Sequence, residues 1–131
     1  MISKMISKMI SKMISKRIPG NELKVRFYRT ERGKEPVRDW LKSLDSACRK
    51  SIGEDIKTVQ FGWPIGMSVV RKLDTRLWEI RSDIKNGIAR IIFTVIENSI
   101  ILLHGFIKKS QRIPFDDLDI AEKRNRNLRG G

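Results

Sequence analysis

Residues 102–114, Leu-Leu-His-Gly-Phe-Ile-Lys-Lys-Ser-Gln-Arg-Ile-Pro, combine a strongly apolar segment with a cationic end. The apolar part carries the only histidine of the chain, His104, and is followed directly by Lys108, Lys109 and Arg112. A short apolar run closed by a proline is typical of a buried strand. An imidazole transfers protons near neutral pH, and clustered cations bind polyanions. The segment therefore predicts a buried strand whose end presents a site for an anionic ligand.

Two apolar segments upstream extend this strand into a sheet. Asn86-Gly87 lies between them, and this dipeptide is the strongest short-range signal of a β-hairpin. Glu97-Asn98-Ser99 marks a second tight turn. Three successive strands joined by short turns make an antiparallel meander, with the strands predicted at Leu77–Ser82, Ile88–Glu97 and Ile100–Ile107.

The remaining predicted elements flank this meander. Apolar and polar residues alternate from Leu23 to Tyr28, which is the period-two pattern of a half-buried strand. Pro36 precedes apolar residues at helical spacing and suits the start of one helix, and Asp45 or Ser46 can cap a second. A basic helix follows Pro114 over residues 118–128. The order is strand, two helices, antiparallel strands and helix, which indicates an α+β sandwich.

Length and composition limit the class of protein. The chain has 131 residues with 28 Lys or Arg and 15 Asp or Glu, for a net charge of +13, and this length suits one domain with one core. The excess of positive charge favours a polyanionic partner, either nucleic acid or an anionic membrane surface. A single cysteine, Cys48, excludes an internal disulfide and fits a reducing cytoplasm. No apolar run approaches the roughly 18 residues needed to span a bilayer.

The first residues form a distinct arm. Residues 1–16 are four copies of Met-Ile-Ser-Lys. An apolar stripe with a period of four drifts by about 40° per repeat, so a helix here is only weakly amphipathic. Pro19-Gly20-Asn21 then breaks the chain. We predict a low-complexity arm over residues 1–20, disordered or weakly helical, followed by one domain over residues 21–131.

Several motifs together carry a resemblance to a known family. They are Arg71-Lys72-Leu73, Leu77-Trp78-Glu79-Ile80-Arg81 and residues 102–114, with Glu35-Pro36-Val37 before them and Ala121 to Arg124 after them. In this order they resemble the HigB-like, phage-derived branch of the RelE/ParE toxin superfamily over about residues 22–129. The resemblance implies a RelE-like α+β fold in which two N-terminal helices pack on a small, mainly antiparallel sheet with a C-terminal helix.

The same resemblance implies the toxin of a type II toxin–antitoxin system. RelE-like members cut messenger RNA on the ribosome without a metal or cofactor, whereas ParE-like members share the fold and poison DNA gyrase. In the HigB-like branch the antitoxin commonly carries a helix-turn-helix domain. We therefore expect a cytoplasmic, metal-independent endoribonuclease. Its expected partners are mRNA on the ribosome and a cognate antitoxin, with no membrane and no small-molecule cofactor.

The matching motifs assign roles to single residues. RNA carries its own nucleophile, the 2′-hydroxyl, so cleavage needs that group deprotonated, the phosphorane charge stabilised and the leaving oxygen protonated. Guanidinium groups bind phosphate oxygens bidentately and stabilise such charge without a metal. We expect Arg81, Arg90 and Lys108 to stabilise the phosphate and His104 to transfer a proton. Further candidates for RNA binding are Lys72, Arg76, Lys109 and Arg112.

Each candidate also has a structural interpretation. Arg81 can pair with Glu79 on the same strand face, Arg90 can extend to water from a sheet edge, and His104 can be a packed histidine. Glu79 as a proton acceptor is a weak alternative. Other residues favour packing or capping over chemistry: Trp40 and Trp78 at core spacing, Cys48 without an activating neighbour, and Asp116, Asp117 and Asp119 at a helix start.

Two other functions stay open from the sequence. One is a ParE-like gyrase inhibitor that performs no chemistry. The other is an inactive prophage remnant that binds only its antitoxin. A histidine retained beside several basic residues on adjacent strands favours the nuclease.

Overall fold

A computed structural model describes residues 23–63, 69–85, 87–108 and 114–130 of the chain. The arm predicted at residues 1–20 lies outside these residues. The elements in chain order are β1 (Lys24–Phe27), α1 (Pro36–Ser43), α2 (Ser46–Gly62), β2 (Val70–Asp74), β3 (Leu77–Ile84), β4 (Gly87–Ile96), β5 (Ser99–Lys108) and α3 (Phe115–Leu128).

The five strands form one mixed sheet in the order β1-β5-β4-β3-β2. β1 runs parallel to β5, with Lys24 opposite Ser99 and Phe27 opposite Leu102, and all other neighbouring strands are antiparallel. The predicted architecture, two N-terminal helices on a small, mainly antiparallel sheet, is therefore wrong. The two helices follow β1 and lie in the middle of the chain, because a strand that pairs in parallel needs a long connection. Of the predicted fold, only the α+β class is confirmed.

The sheet separates two apolar clusters, one on each face. One face, here the helix-pair face, carries side chains such as Ile80, Phe93 and Leu102, which cluster with Val37 of α1 and Ile52 of α2. The other, the α3 face, carries a smaller cluster with members on β3, β4, β5 and α3 and just after β1, namely Tyr28, Leu77, Ile92, Ile101, Leu103 and Ala121. The α3 face is thus covered only in part by a single helix.

Trp40 of α1 packs against β5 at a point where only glycine fits. A Cβ atom at Gly105 would overlap the Trp40 ring. Gly105 pairs with Ile91, which belongs to the helix-pair cluster, so the indole lies on that face. The motif His104-Gly105-Phe106 therefore brings α1 close to the sheet on one face while its flanking side chains serve the other.

A β-bulge in β5 changes the direction of His104. Leu102 pairs with Phe93 and His104 pairs with Ile92, so Leu103 is one residue more than β4 supplies. Strict alternation from Leu102 would place His104 on the helix-pair face. The bulge instead places His104 opposite Ile92, which belongs to the α3-face cluster, and such re-aiming of a side chain is a common use of bulges.

Helix α3 is fixed to the sheet at several points. Arg124 donates to the carbonyl oxygen of Leu103 at 2.7 Å, and Arg129 donates to Thr94 Oγ1 at 2.9 Å. Asn127 donates to the Tyr28 hydroxyl at 3.2 Å. Burial lowers the pKa of the Arg124 guanidinium. Within the described ranges, no helix is long and apolar enough to cross a membrane.

Candidate functional site

A carboxylate surrounded by arginines lies on the α3 face of the sheet. Glu79 of β3 is fully buried, and its Oε1 accepts a hydrogen bond from Arg90 Nη1 at 2.9 Å. Arg71 Nη2 lies 3.7 Å and Arg81 Nε lies 3.9 Å from the same oxygen. Cross-strand pairing explains the arrangement, because Arg71 is opposite Glu79 and Arg81 is opposite Arg90. We call Arg71, Glu79, Arg81 and Arg90 the arginine cluster.

The arginines of this cluster differ in their access to solvent. Arg90 has 0% of its side chain exposed, whereas Arg81 has 31% and Arg71 has 43%. Three guanidinium groups against one carboxylate leave an excess of positive charge. Arg81 Nε is buried and has no hydrogen-bond partner among the described residues, so only the exposed part of the Arg81 side chain can meet a ligand. Arg71 and Arg81 therefore form a cationic rim that retains capacity to bind an anion, while Arg90 holds Glu79 in place.

His104 pairs with a carboxylate of α3. Its Nε2 lies 2.6 Å from Asp117 Oδ1, and the two side chains are 15% and 23% exposed. The imidazole also stacks on Phe106, with ring centroids 5.6 Å apart. The bulge turns His104 towards α3, and the Arg124 hydrogen bond to Leu103 holds the bulge. The position of His104 is thus fixed by its contacts with Asp117 and Phe106 and by the bulge that precedes it.

The histidine and the arginine cluster share one face of the sheet. Glu79 is opposite Ile92, and Ile92 is opposite His104, so the three form one row across β3, β4 and β5. In the next row, Arg81 and Arg90 lie in line with Phe106. Neighbouring strands are about 4.8 Å apart, so the backbones of Glu79 and His104 are separated by about 10 Å.

The other predicted site residues do not all lie on the α3 face. Lys108 is exposed at the end of β5 and, by alternation from Phe106, lies on the α3 face. Lys72 is opposite Trp78, a side chain of the helix-pair cluster, and so lies on the opposite face from the arginine cluster. Arg76 is exposed in the turn between β2 and β3. Lys109 and Arg112 lie outside the described residues.

Sequence patterns missed four residues that build this site. Arg71, which the sequence did not single out as a site residue, lies on the α3 face opposite Glu79, and Glu79 contacts three arginines instead of Arg81 alone. Asp117 does more than begin a helix, since it holds His104. Arg124 stabilises the bulge by donating a hydrogen bond to the carbonyl oxygen of Leu103. These contacts depend on the bulge in β5 and on the packing of α3 against the sheet, and the apolar pattern of a single segment specifies neither.

Residues interpreted as structural are placed accordingly. Trp40 and Trp78 pack against the apolar cluster of the helix-pair face. A hydrogen bond with Asp45, with burial adding a smaller effect, raises the pKa of Cys48, which disfavours its reactive thiolate. Within the described part of the chain, no group of three His, Cys, Asp or Glu side chains is placed to hold a metal ion.

Comparison with known proteins identifies one related family. The family model described as "Phage derived protein Gp49-like" matches residues 39–126. The matched segment is more than half of the chain and runs from α1 into α3, so it includes the whole arginine cluster and both members of the His104–Asp117 pair. A search of curated proteins finds no match to the chain.

Proposed function

The chain belongs to the phage-derived Gp49-like family, and from that premise we propose that it is a HigB-like toxin of a type II toxin–antitoxin system. Its proposed activity is metal-independent cleavage of messenger RNA on the ribosome, in the cytoplasm. The observation that carries this proposal is the position of an imidazole and two partly exposed arginine side chains on one face of the sheet. A proton-transfer group beside fixed cations is what phosphodiester cleavage by an internal hydroxyl requires.

The distance between His104 and the arginine cluster matches the size of a single nucleotide. The backbone of His104 lies about 10 Å from that of Glu79, and both side chains lie on the α3 face. Arg81 lies on the same face and has 31% of its side chain exposed. A phosphate held by Arg81 and Arg71 therefore lies within reach of a ribose whose 2′-hydroxyl approaches His104. Bidentate binding by guanidinium orients the phosphate as well as neutralising it.

Exposed residues near this point supply further contacts to RNA. Lys108 extends the cationic surface along β5, and Phe115 is 80% exposed at the start of α3, two residues before Asp117. An exposed aromatic ring beside cations is suited to stacking on an unpaired base. We assign contacts to more distant parts of the RNA to Arg76, Lys72, Lys109 and Arg112.

The arginines of the arginine cluster have different proposed roles. Arg90 is buried against Glu79, so its proposed role is to hold the cluster and contribute long-range positive potential. Arg81 and Arg71 are the groups that contact phosphate. Removing one preorganised electrostatic contact of this type costs on the order of 2.7–4 kcal/mol of transition-state stabilisation. RNA supplies the nucleophile, so the proposed reaction needs no metal and no cofactor.

A primer-extension assay on a translated transcript tests the proposal. Addition of the purified protein to a reconstituted translation reaction should produce new 5′ ends in the message, and Arg81→Ala should lower their yield about 100-fold or more. Arg38→Ala is the matched control, because Arg38 is an exposed arginine that pairs with Glu35 on the surface of α1 at 3.2 Å.

Two results would reject the nuclease assignment. Intact RNA together with inhibition of purified DNA gyrase favours a ParE-like toxin. Intact RNA without gyrase inhibition, but with tight binding to a cognate antitoxin, indicates an inactive remnant. The expected antitoxin carries a helix-turn-helix domain and is identified as the protein that suppresses growth arrest when produced with this chain.

A further inference from the structure

We propose that Asp117 is a positioning residue that selects the tautomer of His104, so that Nδ1 is the atom that takes the proton of the 2′-hydroxyl. The inference rests on the proposed function for its chemistry, but the tautomer itself is a property of the free protein. It assigns a role in the reaction to an aspartate whose sequence context indicates only the first turn of a helix.

The hydrogen bond itself determines which nitrogen is available. An ionised carboxylate only accepts hydrogen bonds, and Asp117 Oδ1 lies 2.6 Å from His104 Nε2. Nε2 therefore carries the hydrogen, and in the neutral ring the lone pair is on Nδ1. A second partner of a histidine generally fixes its tautomer in this way. Without the carboxylate, nothing in this contact would distinguish the two nitrogens.

The bulge in β5 and the contacts of α3 with the sheet together position His104 against Asp117. The bulge at Leu103 turns His104 onto the α3 face, and Arg124 of α3 donates to the Leu103 carbonyl at 2.7 Å. Asp117 and Arg124 are seven residues apart on α3, so both lie on the side of the helix that meets the sheet. One helix thus holds the bulge through Arg124 and the ring through Asp117. Stacking of the imidazole on Phe106 restricts rotation of the ring.

The proposed step balances as follows. Nδ1 takes the proton from the 2′-hydroxyl while O2′ forms a bond to phosphorus. The P–O5′ bond breaks, its electron pair stays on O5′, and O5′ takes a proton from water. The products are a 2′,3′-cyclic phosphate and a 5′-hydroxyl, and the imidazolium returns its proton to solvent. Asp117 stabilises the imidazolium but does not exchange a proton with RNA, as in other carboxylate–histidine pairs.

Nuclear magnetic resonance measures the tautomer directly, without RNA. His104 is the only histidine, so long-range ¹H–¹⁵N correlations of a uniformly labelled protein without a histidine tag report one imidazole. At a pH where the ring is neutral, the wild type should show the Nε2–H tautomer. Asp117→Asn keeps the size of the side chain but can either donate or accept, so it should give a mixture. Asp117→Glu should restore the Nε2–H form, and Asp116→Asn, in the same turn, should leave it unchanged.

Cleavage kinetics then connect the tautomer to the reaction. Asp117→Asn should lower kcat about tenfold or more with little change in KM, because substrate binding depends on the arginines. Asp117→Glu should recover part of the loss, and Asp116→Asn should cleave as the wild type does. A wild-type tautomer in Asp117→Asn, or an unchanged kcat despite mixed tautomers, overturns the inference. A fixed Nε2–H tautomer in a wild-type protein that cleaves no RNA rejects the proposed function and leaves the tautomer assignment standing.

Discussion

Glu79 Oε1 lies among three arginine side chains that differ in exposure to solvent. Substitution of each arginine should therefore change the stability of the protein by a different amount. Arg90 is fully buried with Glu79, whereas Arg81 and Arg71 reach solvent. Loss of one member of a buried pair leaves an unsolvated charge, while an exposed pair contributes little to stability. Single substitutions therefore separate residues that hold the cluster from residues that act in it.

Arg90→Ala should destabilise the protein by about 3–5 kcal/mol, because the fully buried Glu79 would lose its nearest hydrogen-bond donor. That is a large part of the roughly 5–15 kcal/mol typical of a domain. Arg81→Ala should cost about 1 kcal/mol or less, since its ion pair is longer and a third of the side chain is exposed. Urea unfolding followed by tryptophan fluorescence gives both values.

A second substitution tests the cause of the loss at Arg90. The pair Arg90→Met with Glu79→Gln removes both charges of the fully buried pair, so it should recover part of the stability lost in Arg90→Ala. An Arg90→Ala protein that is as stable as the wild type yet fails to cleave RNA would show instead that Arg90 acts directly on the substrate.

Glycine substitutions provide a second pair at the residue scale. Gly105→Ala should destabilise by about 1–3 kcal/mol, because the added methyl overlaps the Trp40 ring in a packed interface. Gly53→Ala is the matched control: a Cβ there meets nothing within 4 Å inside α2, so the change should stabilise by roughly 0.5–1 kcal/mol. Thermal unfolding of both variants measures the difference. A midpoint of Gly105→Ala equal to that of the wild type would mean that α1 shifts away from the sheet without loss of stability.

At the scale of elements, the start of α2 depends on one carboxylate. Asp45 Oδ1 accepts a hydrogen bond from the backbone N–H of Cys48 at 2.8 Å. This bond, with smaller contributions from the Cys48 side chain and Lys85, lowers the pKa of Asp45. The unfolded chain lacks it, so the cap contributes stability above the ordinary Asp pKa of about 3.9 and loses it as the pH falls through the lower folded value.

Asp45→Asn should remove this acid-sensitive contribution, because asparagine also caps helices but does not titrate. Unfolding of the wild type and Asp45→Asn, compared from pH 7 down to pH 2, should show the wild type losing its advantage below about pH 3.9. Asp45 also raises the pKa of Cys48, so iodoacetamide should alkylate this single cysteine faster at pH 8 in Asp45→Asn. Identical alkylation rates would contradict the assigned hydrogen bond.

Elements whose signals are local could be predicted from the sequence, and those that depend on distant partners could not. Pro36 and Asp45 mark the starts of α1 and α2, and the predicted turn before β4 is confirmed by the pairing of Ile84 with Gly87. The parallel partner of β1 is set by how α1 and α2 cross the sheet. The bulge at Leu103 has no characteristic residue type. His104 and Arg81 could therefore be chosen as candidates, but not their partners.

At the scale of the whole molecule, positive charge is not confined to the candidate site. An open groove of about 690 Å³ lies between the loop after β1 and the C-terminal end of α3. Its lining includes Tyr28 and three cations, Arg29, Arg32 and Lys34, against one carboxylate, Glu31. Helix α3 is about 20 Å long, so the groove is well separated from Asp117 at the other end of the helix.

For the proposed antitoxin, we expect an acidic segment to bind in this groove, because its lining carries three cations and one carboxylate. We expect Arg32→Glu with Lys34→Glu to weaken the complex about tenfold or more while leaving RNA cleavage unchanged, because the charges repel the segment far from His104. Titration calorimetry at two salt concentrations measures the effect, and wild-type binding should weaken as salt rises. If Arg81→Ala weakens the complex and the groove variant does not, the antitoxin instead covers the candidate site.

The parallel pairing of β1 with β5 has a consequence for when the sheet can be completed during synthesis. β1 is the first strand of the sheet to be synthesised and β5 is the last, so the nascent chain carries β1 without a neighbour until four other strands have been translated. His104 and Lys108 lie on that last strand. For a protein proposed to act on ribosomes, this order separates synthesis from action, because the ribosome has translated β5, and after it Asp117 of α3, before the proposed site can form.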